Sequence, residues 1–171
     1  MNTPMSTVIQ LLDALGRFLS RFLLIAGGVM LTAMVALACA NMFMRGAMSA
    51  PIRGTYELMG FFGAIVSAFA LAATQMRKGH IALTMLAGKF PPVVDRYIDA
   101  FTNLACAAFF SLIAWKTCAY ASSLIEFGEL SSDLNIPFHG FVYAVAFGSA
   151  VLALNLLTDC LKALADWKEP T

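Results

Sequence analysis

Two histidines, four cysteines and a scatter of boundary charges are the residues with chemistry to offer. Haem iron takes axial ligands such as His. His80 and His139 are the only two, and the apolar runs between them put them at opposite faces of a membrane. They are then separated by about 30 Å, the thickness of the hydrocarbon layer, and cannot share one haem. Cys39, Cys106, Cys118 and Cys160 form no C-x-x-C pair and each lies in or beside an apolar run. That placement suits small packing residues; a disulfide framework or thiol oxidase wants poised, accessible pairs. Proton relays and ion paths put ionisable groups near the bilayer midplane, and the long apolar runs read as uncharged at their centres. Ser67, Thr32, Asn103 and Ser111 remain as polar glue between helices. The residues therefore point away from catalysis, and no cofactor or metal is expected.

The elements that carry these residues follow from composition. Of 171 residues, 60% are hydrophobic and 12% charged, against about 25% charged in a soluble domain. The polar surface is too small to cover a water-soluble globule. A net charge of +1 gives no basic face for nucleic acid. A spanning helix needs about 20 mostly apolar residues. Phe22 to Met44, Leu58 to Met76, Ala100 to Trp115 and Leu134 to Thr158 supply four such runs. The third is short and lengthens into Lys116–Phe127 if Lys116, near a helix end, lifts its amine to the headgroups. The expected spans are about 22–44, 56–76, 97–120 and 135–158, in a single membrane domain over 1–171. Backbone polar groups in lipid need internal partners, and these runs do not alternate as barrel strands do, so all four are helices. The expected fold class is an all-α integral membrane protein with four transmembrane helices. Ala36–Ala40 looks like a cleavage site, but the apolar run is longer than a signal sequence and continues through Met44, so it reads as a retained anchor.

Residues 5–22 carry apolar positions at helical spacing, with Asp13 and Arg17 four apart on the polar side. They read either as an interfacial amphipathic helix before the first span or as an extension of that span. Pro91-Pro92 open the third helix, Gly128 ends it, and Asn135-Ile136-Pro137 open the fourth. Small residues recur every four positions at Gly28, Thr32, Ala36 and Ala40, at Gly60, Ala64, Ala68 and Ala72, and at Gly140, Ala144 and Gly148. Such stripes allow close helix approach, either within the chain or to a second protein. The basic residues Arg17, Arg21, Arg77, Lys78, Lys89, Arg96, Lys162 and Lys168 outnumber Arg45 and Arg53 on the other side, joined by Lys116 if it snorkels outward. Both termini are therefore expected in the cytoplasm.

These features resemble the small membrane subunit (Q-type) of tripartite ATP-independent periplasmic, or TRAP, transporters. The resemblance rests on Asn41-x-x-x-Arg45 at the end of the first span, and on Glu57 followed by Gly63 in the second. It continues through Arg77-Lys78-Gly79-His80-Ile81 and Ser132-x-x-Asn135-Ile136-Pro137, which leads by way of Tyr143 to Gly148. Phe61-Phe62 stand where the family often has Trp, and Ala82-Leu83-Thr84 where it often has a Val-Asp sequence. The resemblance implies a non-catalytic scaffold subunit of a sodium-coupled importer of organic acids in the bacterial inner membrane. The implied partners are a large polytopic membrane subunit, a periplasmic substrate-binding protein and membrane lipids. Asn41, Arg45, Glu57, Arg77, Lys78, His80, Asn135 and Pro137 are the candidate partner or lipid contacts. The alternatives are a membrane anchor or assembly subunit of another complex, such as a redox enzyme, and a stand-alone tetraspan interaction protein.

Overall fold

Long uncharged runs in lipid can satisfy their backbones only as helices. The computed structural model, which describes residues 4–75 and 92–165, contains four. They are α1 (Pro4–Met48), α2 (Thr55–Gln75), α3 (Pro92–Phe127) and α4 (His139–Ala165). All four are long and apolar enough to cross a membrane. Residues 5–22 do not form a separate interfacial helix; they are the first turns of α1, which runs on unbroken.

The helix ends follow local rules. Pro4 and Pro92 are the first described residues of α1 and α3, and proline suits a first helical turn, where the missing N–H goes unneeded. Gly128 (φ 62°) closes α3. Its N–H donates to the Ile125 carbonyl and that of Glu129 to the Leu124 carbonyl, which satisfies two terminal acceptors. Ser49 (φ 52°) turns the chain out of α1. The Phe138 carbonyl accepts the N–H groups of Phe141 and Val142 in the first turn of α4.

α4 is the central helix and packs on α1, α2 and α3, while α1 also packs on α2. Lipid gives little hydrophobic drive between helices, so close contact must hold them. Gly148 supplies it. A Cβ there would lie 3.0–3.2 Å from atoms of Phe69 and Ala68, and Gly27 meets the other side of Phe69. Leu23, Ile65, Ala72, Leu152 and Leu156 fill the rest of the core. The small-residue stripes divide accordingly. Ala68, Ala72 and Gly148 face the chain's own core, whereas Gly28, Thr32, Ala36, Ala40, Gly60 and Ala64 face outward. All four cysteines are free, and Cys160 donates to the Ala100 carbonyl.

The helices differ in length. The 21 residues of α2 make about 31 Å, a close match to the hydrocarbon layer. The 45 residues of α1 and 36 of α3 make about 67 and 54 Å. This corrects the reading of Lys116. α3 continues beyond it to Phe127, about 16 Å further on, so Lys116 is not near a helix end. Ser122 meets Tyr143 and Ala100 meets Cys160, which puts Lys116 level with Gly148 and thus with Ala68 and Phe69, well inside α2. Lys116 therefore lies inside the apolar stretch Ala100–Phe127 of α3 and not at its edge.

Candidate functional site

The expected contact residues fall at the ends of the bundle. At the end opposite the termini, the link from α1 to α2 is tied down by side chains on both helices. Asn41 is buried, and its Oδ1 accepts the Ile52 N–H at 2.9 Å. Thr55 Oγ1, also buried, donates to the Ile52 carbonyl at 2.8 Å. Gly54 (φ 72°) then starts α2, its carbonyl accepting the Leu58 N–H.

Glu57 in the first turn of α2 joins this end to the α3–α4 link. One carboxylate oxygen accepts the Ser132 N–H at 3.0 Å, and the other accepts those of Asp133 at 3.3 Å and Leu134 at 3.2 Å. Hydrogen bonds to a carboxylate are stronger than neutral ones, so one side chain orders three consecutive residues of the loop. Asn135 takes the left-handed conformation (φ 52°) that Asn tolerates better than most residues. Its N–H donates to the Ser131 carbonyl, while the Ser131 N–H donates to the Ile136 carbonyl. Leu134 packs directly over Gly54. Below the loop, Phe61 stacks on Phe138 and Phe141 with ring centroids 5.6 and 5.0 Å away. Asn41, Glu57 and Asn135 are thus brought to one end, where Asn41 and Glu57 bond within the chain. Arg45 and Pro137 are exposed there. Arg77, Lys78 and His80 lie outside the described residues.

The opposite end holds a polar cluster of which only one pair was legible from spacing along the chain. Asp13 Oδ2 is 2.6 Å from Arg17, the expected i,i+4 partner. Asp13 Oδ1 also accepts from Lys162 Nζ near the end of α4. Asp159 Oδ2 accepts from Gln75 Nε2 at 3.1 Å, so the last residue of α2 joins as well. One turn deeper, Asn155 Nδ2 donates to the fully buried Ser20 Oγ at 2.7 Å. These bonds clasp α1, α2 and α4. The lone amide Asn155 in an otherwise apolar run was the signal available; its partner, 135 positions away, was not.

The arrangement stiffens both ends of the bundle and leaves charged residues at its rims. Among the described residues, no cluster of three or more His, Cys, Asp or Glu side chains is placed to hold a metal ion. Comparison with known proteins supplies the lineage. The family described as "Tripartite ATP-independent periplasmic transporters, DctQ component" matches residues 34–166. That match takes in Asn41, Arg45, Glu57, Lys116 and the whole α3–α4 link. No characterised protein and no solved structure matches the chain. With most of its length matched, the chain belongs to the DctQ family, the small membrane subunits of TRAP transporters.

Proposed function

We propose that this chain is the fixed, non-catalytic scaffold subunit of a sodium-coupled importer of organic acids. In this reading it sits in the bacterial inner membrane with both termini in the cytoplasm. It pairs with a large polytopic membrane subunit that binds substrate and sodium, and a periplasmic binding protein delivers the substrate. The observation that carries the scaffold role is the closed interior. α4 is wedged against three helices, a Cβ at Gly148 would already lie 3.0–3.2 Å from Phe69 and Ala68, and apolar side chains fill the core at that level. A moving or permeated protein needs slack or a polar passage at that level, whereas a frame needs neither. The ties at Asn41 and Glu57 keep one end rigid, and Arg45 and Pro137 are free there to meet a partner. Arg77, Lys78 and His80 are assigned contacts with lipid phosphates or the large subunit on the cytoplasmic side.

The test is reconstitution. Liposomes carrying this chain alone, the large subunit alone, or both receive the binding protein, a labelled organic acid and an inward sodium gradient. Uptake only when both membrane subunits are present, with one-to-one recovery of the two from native membranes, is the expected result. Solute movement by this chain alone would overturn the scaffold role.

A further inference from the structure

Among the described residues, Lys116 makes no ion pair and no contact that ties one helix to another. It projects from α3 into the surroundings and is exposed. It sits ten residues from Glu126 and seventeen from Asp99, the nearest charged positions along its own helix, or about 15 and 25 Å. Across the bundle it is level with the Gly148 crossing, inside the span of α2. A lysine side chain reaches only about 6 Å from its Cα, and on a helix it leans toward the N-terminus, here the more distant of the two charged positions. It therefore does not reach a polar boundary along α3. Its Nζ lies over the ring of Trp115, 5.4 Å from the centroid. The ion pairs among the described residues involve Asp13 and Asp159 with Arg17 and Lys162, all near the termini end. A charge in the hydrocarbon is expensive, and such residues pair with a counter-charge or line a polar cavity.

We propose that Lys116 marks the docking face of this subunit, and that a transmembrane helix of the large membrane subunit lies against α3 there with a carboxylate facing the amine. The inference rests on the scaffold reading above and adds the surface and its chemistry. Charge complementarity selects the occupant. Among the described residues, a second copy of this chain offers no carboxylate at that depth, because the acids on its helices lie toward their ends, at Asp13, Glu57, Asp95, Asp99, Glu126 and Asp159. Lipid acyl chains offer none at all. The surroundings have the anatomy of an interface centre, since exposed Phe109, Leu112 and Tyr120 lie one or two turns away on the same side and supply an apolar rim around the charge.

The test uses the complex purified from native membranes. Lys116→Glu should lower the large subunit recovered per copy of this chain at least tenfold. Lys116→Met should lower it several-fold, even though Met suits lipid better than Lys does. Because Lys116 bonds to nothing among the described residues but the Trp115 face, the thermal transition of the isolated Lys116→Met chain in detergent should not fall. A photo-reactive residue at Leu112 should cross-link to a large-subunit helix, within a turn of an Asp or Glu. Unchanged recovery for both variants, or cross-links only to lipid or to a second copy of this chain, would overturn the proposal. If the wild-type chain brings down no large subunit at all, both this inference and the scaffold reading fall. If it does so and both variants do equally, the inference alone falls.

Discussion

Replacing Gly54 with alanine should cost more stability than the same change at Gly128, and the difference measures one contact. Both glycines have positive φ, 72° and 62°, so each alanine pays about 1–2 kcal/mol for the left-handed backbone. Their surroundings differ. A Cβ at Gly128 meets nothing within 4 Å, whereas at Gly54 it would lie 2.3, 2.5 and 2.8 Å from Cγ, Cδ2 and Cδ1 of Leu134. The whole branched end of Leu134 has to leave, an overpacking cost of about 1–3 kcal/mol. The expected losses are then about 2–5 kcal/mol for Gly54→Ala and about 1–2 kcal/mol for Gly128→Ala. Reversible unfolding of the purified chain in mixed micelles, followed by helical circular dichroism, reads both. Hydrogen exchange adds a local signature. Moving Leu134 disturbs its N–H bond to Glu57, so the 132–134 amides should exchange faster in Gly54→Ala and not in Gly128→Ala. Equal losses in the two variants, or unchanged exchange at Leu134 in the first, would refute the steric argument.

Three further outcomes follow from the ties between helices. Glu57→Gln keeps the shape but loses the full charge and one acceptor oxygen, so exchange at Ser132, Asp133 and Leu134 should accelerate while that within α4 does not. Asn155→Leu removes the donor to Ser20 and should destabilise by about 0.6 kcal/mol, up to about 1.7, the range for interhelical hydrogen bonds in membranes; a double cycle with Ser20→Ala would recover that coupling. Lys162→Met breaks a contact that Arg17 still shares at Asp13, so the loss should stay below about 1 kcal/mol and shrink with added salt, as partly exposed ion pairs do.

The features legible in the sequence were those fixed over a few residues. Runs such as Phe22–Met44 could only be helices in lipid, Gly128 could be read as a stop and Pro92 as a start, and Asp13 with Arg17 announced their pairing by spacing. Contacts between distant positions were opaque. Nothing near Glu57 says that its carboxylate holds a loop 75 or more positions later, and a pattern of matching residues marked Asn41 and Glu57 without revealing that they tie links down. Lys116 was misread for the same reason. Hydropathy along one helix ended the run at Trp115, whereas its depth is set by the register of α3 on α4, fixed by Ser122 with Tyr143 and Ala100 with Cys160. Whether the small-residue stripes served the chain or its surroundings also waited on rotation about each helix axis.

The unbroken course of α1 limits how this gene segment can change length. Between Pro4 and Met48 there is no loop to absorb an inserted or deleted residue. A single-residue change near the middle would turn every preceding position by about 100° and shift it by about 1.5 Å along the axis. Asp13, Ser20 and Leu23 would swing away from Lys162, Asn155 and the core together. Seven residues would turn the faces by only about 20°, but slide them about 10 Å past α4. Length variation should therefore collect before Pro4 or in the 49–54 link, and substitution rather than insertion should be the route by which α1 diverges.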